Sequence, residues 1–209
     1  MTIGKIYLKN GFFLLLSLFI LFGESNFLPL IFLAALVHEV GHIFAIWGFG
    51  GSLQRVEIGF FGGKIDYTMK GEGYLAKMVI LLAGSAFNLL AAFLFAQLGT
   101  RGEPFLFFAG ANLLLALFNL LPILPLDGGR ALLCLMSKCF NPLKGQVIVE
   151  TIGKGFTYCL FALGIWVFYQ TAWNISLLLF SVFLLCFPFL EKRKCSGKKF
   201  RNFHKQHSK

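Results

Sequence analysis

His38, Glu39 and His42 are the residues in this chain whose types and spacing could do chemistry, and they stand in an apolar run from Phe27 to Trp47. On a helix, residues four apart lie one above the other on the same face. Both imidazoles can therefore reach one metal ion, with the intervening glutamate close enough to act as a base. Polar side chains at the depth of lipid tails are costly unless they bind a partner, and so mark function. The pattern points to metal-assisted chemistry within a membrane.

Two histidines do not complete such a site, because a catalytic zinc takes three protein ligands and keeps one position open. The other histidines, His204 and His207, lie in the basic tail, so the third ligand is sought among the carboxylates. Asp127 stands out within Asn119-Leu120-Leu121-Pro122-Ile123-Leu124-Pro125-Leu126-Asp127-Gly128-Gly129-Arg130. Pro122 and Pro125 interrupt a helix, and the glycine pair lets the backbone turn. Broken backbone at membrane depth is tolerated where it lines a protein cavity. An aspartate there can bend toward a metal held on a neighbouring helix.

His-Glu-x-x-His at 38–42 followed by Asn-x-x-Pro-x-x-x-Leu-Asp-Gly at 119–128 resembles the site-2 protease family of intramembrane zinc metalloproteases. Chain size and span count are similar to its compact bacterial branch, which includes the sporulation protease that processes pro-sigma-K. The resemblance implies zinc held by His38, His42 and Asp127, with Glu39 activating water. It also covers a Gly-x-x-x-Asn pattern, present here from Gly84 to Asn88. Asn119 and Asn88 become candidates for binding an unwound substrate, beside the plainer reading that they join helices by hydrogen bonds. The implied partners are a membrane-associated protein substrate, a membrane regulatory partner and the bilayer itself, with no nucleic acid. A sporulation transcription-factor precursor is the substrate that this branch implies.

Positioning these residues requires membrane helices, and the composition supplies them. The chain has 209 residues, of which 57% are hydrophobic and only 13% charged. That charged share is about half the usual one for a soluble domain. Six spans of hydrophobic sequence read out at about 11–23, 26–47, 74–98, 104–121, 155–169 and 173–190, making one membrane domain over 1–190 and a basic tail over 191–209. The fold class expected is all-α and polytopic, with a short β-hairpin or membrane-associated loop between the second and third spans. There, Gln54–Phe60 and Gly62–Tyr67 read as two strands around a glycine turn. A hairpin edge beside the metal helix could pair with an extended peptide. Lys5 and Lys9 before the short first span give it the look of a signal peptide. No small-x-small cleavage site follows, so a retained helix is expected.

Net charge is +10, and with six spans eighteen of the nineteen basic residues fall on one side, Arg101 being the exception. That asymmetry places both termini in the cytoplasm of a bacterial-type membrane. It also accounts for the charge without nucleic acid, and it assigns Arg130 to topology. Twelve residues separate Asn26 from His38, roughly 18 Å of helix, which leaves roughly 12 Å to the inner boundary of a ~30 Å core. The five cysteines lack metal-type spacing and read as packing thiols. A membrane metal-ion transporter or sensor, and an inactive scaffold retaining the motif for folding, are the competing functional readings.

Overall fold

The computed structural model describes residues 5–8, 28–59, 62–69, 73–170 and 177–186. Strand β1 spans Lys5–Leu8, helix α1 Leu28–Gly48, and strands β2 and β3 Ser52–Gly59 and Gly62–Thr68. Helix α2 spans Tyr74–Gln97, and a 3-10 turn at Gly99–Arg101 leads into α3, Glu103–Leu120. Helices α4 and α5 span Asp127–Cys139 and Pro142–Gln170, and α6 spans Leu177–Cys186.

Four of these helices, α1, α2, α3 and α5, are long and apolar enough to cross a membrane. Their outward faces carry large apolar side chains such as Phe93, Leu90, Leu114 and Trp166. Their inward faces carry small or polar ones, Ala34, Ser85, Asn88, Ala92, Ala109, Asn112 and Ala116. A soluble bundle would reverse that distribution. Against lipid tails, helix association comes from close packing and hydrogen bonds rather than from burial of bulk. The chain is an integral membrane protein.

Three of the expected spans match α1, α2 and α3 within two residues at either end. The fifth corresponds to α5, which starts 13 residues earlier than hydropathy suggested. At 29 residues, it is roughly 43 Å long and exceeds a ~30 Å core. Its start is fixed locally: the Asn141 side-chain oxygen accepts from the Lys144 backbone N–H at 2.7 Å, and Pro142 follows the cap, where a missing N–H costs nothing. The gap between the fourth and fifth expected spans is mostly helical, because α4 is amphipathic rather than apolar and a hydropathy reading passes over it. The span expected at 11–23 lies outside the described residues. Of the one at 173–190, ten residues are described, as α6. The basic tail also lies outside them.

The hairpin forms as expected, with β2 and β3 antiparallel and Leu53 facing Tyr67 and Val56 facing Ile65. Unexpectedly, β1 pairs in parallel with β2, so the sheet has three strands in the order β1-β2-β3. Lys5–Leu8 is too short to give a strand signal of its own. Ile46, Leu53 and Ile80 form a buried cluster, with Ile65 and Tyr67 against it. That cluster fastens the sheet to the end of α1 and the start of α2.

Packing does not explain three of the cysteines. Cys139, Cys159 and Cys186 are exposed, and only Cys134 is half-buried. Burial pushes the Cys134 thiol up, against the opposing charges of Lys77 and Arg130. Cys195 lies outside the described residues.

Between α3 and α4 the chain runs from Leu121 to Leu126 without regular structure, and Gly128 brings the first turn of α4 against it. A side chain at Gly128 would overlap the Leu120 carbonyl and lie 2.7 Å from the Leu121 carbonyl oxygen. Backbone cannot step aside as a flexible side chain does. Gly128→Ala is therefore expected to cost about 1–3 kcal/mol, read as a lower thermal midpoint in detergent. Gly110→Ala, at a position with nothing within 4 Å, should leave the midpoint unchanged.

Candidate metal centre

His38 and His42 project from one face of α1 toward Asp127, the first residue of α4. His38 Nε2 lies 2.9 Å from Asp127 Oδ2, and His42 Nε2 lies 3.2 Å from the same oxygen. The two Nε2 atoms are 3.2 Å apart. The histidines are 6% and 8% exposed, and the Asp127 side chain 13%.

Proton accounting shows what this arrangement needs. His42 Nδ1–H donates to the Ile80 carbonyl at 2.8 Å. In a neutral ring that leaves Nε2 without a hydrogen. Its lone pair then faces a carboxylate oxygen and a second imidazole nitrogen, away from bulk water. A cation at their centre turns that mutual repulsion into attraction. Ligands about 2.0–2.1 Å from a tetrahedral zinc lie roughly 3.3 Å from one another. The observed separations, 2.9, 3.2 and 3.2 Å, fit that triangle. The donor types, two imidazoles and a carboxylate, also suit zinc. The bond to the Ile80 carbonyl sets the His42 tautomer and ring orientation, as expected around a metal ligand.

The positions follow from local sequence. Four-residue spacing stacks the two rings, which meet edge to face with centroids 4.8 Å apart. Gly41 lets α1 approach α2 closely, since a side chain there would lie 2.7 Å from the Ala83 carbonyl oxygen. On α2, Gly84 leaves room for the rings themselves: a Cβ there would sit 2.5 Å from His42 Nε2 and 2.8 Å from His38 Cε1. Asp127 owes its place to the interrupted helix, because α3 ends at Leu120 and α4 starts at Asp127 itself. A carboxylate is also favoured at a helix N-terminus.

Glu39 is half-buried on α1 beside His38. Asn119 lies in the last turn of α3, partly buried, and its amide donates to the Leu115 carbonyl at 3.0 Å. Asn88 is fully buried, with neither its amide nitrogen nor its oxygen hydrogen-bonded among the described residues. A substrate could reach Asn88 only if the surrounding helices parted. Sequence reasoning missed Asn112, which is equally buried. Its amide donates to the Phe108 carbonyl at 2.8 Å while its oxygen lacks a partner among the described residues. An asparagine in the middle of an apolar span was the available signal. Arg130 was assigned to topology, yet its Nη1 lies 3.6 Å from Asp127 Oδ1.

Apolar helices enclosing two imidazoles and a carboxylate define a membrane metalloprotein. Comparison with known proteins narrows the class. Peptidase family M50 matches residues 96–163. Stage IV sporulation protein FB of Bacillus subtilis is 30% identical over 195 residues, covering 91% of this chain and 67% of that protein. A zinc metalloprotease of Methanocaldococcus jannaschii is 31% identical over 162 residues, covering 74% of this chain and 46% of that protein. The solved structure of a site-2 protease from Methanocaldococcus jannaschii superposes with a TM-score of 0.65 at 25% identity, covering 86% of each chain. The chain belongs to peptidase family M50, the site-2 proteases. It spans about half the length of the archaeal metalloprotease and two thirds of the Bacillus protein.

The closeness of Gly84 to both rings gives a direct test. Metal sites tolerate ligand displacements of only about 0.5 Å, so Gly84→Ala should remove most of the zinc that copurifies with the chain. Metal analysis of the purified protein measures this, with Gly155→Ala, a position with nothing within 4 Å, as the neutral comparison.

Proposed function

We propose that this chain is an intramembrane zinc metalloendopeptidase that hydrolyses peptide bonds in membrane-associated proteins. The observation that carries the reading is the meeting of His38 Nε2, His42 Nε2 and Asp127 Oδ2 inside an apolar helical bundle. These three residues hold the ion. Bound there, zinc supplies a Lewis acid and makes water a nucleophile near neutral pH. Glu39 is the general base: its carboxylate takes the proton from the attacking water and delivers it to the departing amine.

The substrate must lose its helical hydrogen bonds before a carbonyl is open to attack. Asn119, one turn from the break between α3 and α4, is placed to meet the unwound segment, and the edge of β3 offers backbone pairing to it. The paucity of basic residues at the α2–α3 connection, where Arg101 stands alone, supports a cytoplasmic position for the sheet and both termini. His42 lies six residues from the sheet end of α1, roughly 9 Å along the helix, which favours water entry from the cytoplasmic side. The unit that acts is the membrane domain, 1–190, with 191–209 as a basic tail at the lipid surface. The Bacillus relative is named for sporulation, which supports a transcription-factor precursor tethered to the membrane as the substrate and leaves room for a regulatory membrane partner. A transport path would need donors at several depths. Among the described residues, one cluster of His, Cys, Asp and Glu side chains could hold a metal, at a single depth.

Glu39→Gln separates catalysis from metal binding. It should keep the zinc content of the wild type and slow cleavage of a coexpressed membrane-tethered substrate by about 10²–10⁴-fold. Cleavage at the wild-type rate would remove Glu39 from the mechanism; loss of zinc would make it a ligand instead.

A further inference from the structure

The two oxygens of Asp127 face different partners. Oδ2 turns to both histidines, while Oδ1 faces Arg130 Nη1 at 3.6 Å. Arg130 stands one turn further along α4, three residues from Asp127, with Gly128, Gly129 and Ala131 buried around it. Its own side chain is 56% exposed, so the guanidinium reaches back to the carboxylate from the rim of the site. At that distance the contact is one of charge rather than a hydrogen bond.

We propose that Arg130 is a positioning residue that holds Asp127 to ligation through one oxygen. The inference rests on the metal-centre reading given above. A carboxylate on a divalent ion can bind through one oxygen or both. If both oxygens of Asp127 turned to the ion, they would fill the position that a hydrolytic site keeps open. Positive charge beside Oδ1 competes for that oxygen and leaves Oδ2 to face His38 and His42. It also offsets negative charge where Asp127 and Glu39 approach one ion. Ligating carboxylates are commonly fixed by such a second contact. The sequence reading of Arg130 as a topology charge makes a different prediction, since one basic residue among nineteen scarcely alters orientation and would leave the metal untouched.

The test uses the full chain purified in detergent, loaded with Co2+ as a spectroscopic probe and titrated with Zn2+ against a chelator. Wild type should show the intense visible bands of four-coordinate cobalt. Arg130→Gln should reduce the cobalt bands toward the weaker absorption of a five-coordinate ion, as both Asp127 oxygens become free to bind. Arg130→Lys, which keeps the charge, should recover most of the band intensity. An unchanged spectrum in Arg130→Gln overturns the inference, as does an Arg130→Lys form no better than Arg130→Gln. If the wild type takes up neither ion, the metal-centre reading itself falls and takes this inference with it.

Discussion

Two imidazole nitrogens and a carboxylate oxygen meet in a place that water barely reaches, and the structure is organised around that meeting. In its neutral form His42 gives its one ring hydrogen to the Ile80 carbonyl, so its other nitrogen accepts. Asp127 Oδ2 faces it at 3.2 Å. A divalent cation between them turns such a contact into attraction. The same ion explains why a polar cluster survives on an otherwise apolar helix.

Assembling that cluster constrains three separate stretches of chain. Helix α1 supplies both rings from adjacent turns, so their separation is fixed by helix geometry alone. Helix α2 supplies an acceptor at Ile80 and, one turn on, an absence of side chain at Gly84. The break between α3 and α4 brings in the carboxylate. Around this centre the interior is small and polar rather than bulky, with Ser85, Asn88 and Asn112 each wholly buried. Phe95 on α2 makes aromatic contacts with Phe105 and Phe108 on α3.

Much of this was legible in the residues. A His-Glu-x-x-His motif inside a span declares both an element and a chemistry, and prolines at 122 and 125 announce the interruption that brings Asp127 inward. The hairpin showed through its glycines and alternating pattern. What escaped the reading depends on relations that no local pattern carries. Lys5–Leu8 is a strand because β2 lies beside it. The Ile80 carbonyl matters because of where one ring points, and backbone groups leave no trace in composition. Helix α4 is too amphipathic to stand out by hydropathy, and the Asn141 cap that starts the next helix lies outside its apolar run. Arg130 looked like one basic residue among many until the coordinates set it against Asp127.

X-ray absorption at the zinc edge of the purified chain addresses the central claim most directly. The account requires about one zinc per chain, with nitrogen and oxygen neighbours at ~2.0–2.1 Å and the outer scattering of two imidazoles. A chain without zinc, or one whose zinc has sulfur neighbours at ~2.3 Å, would contradict it.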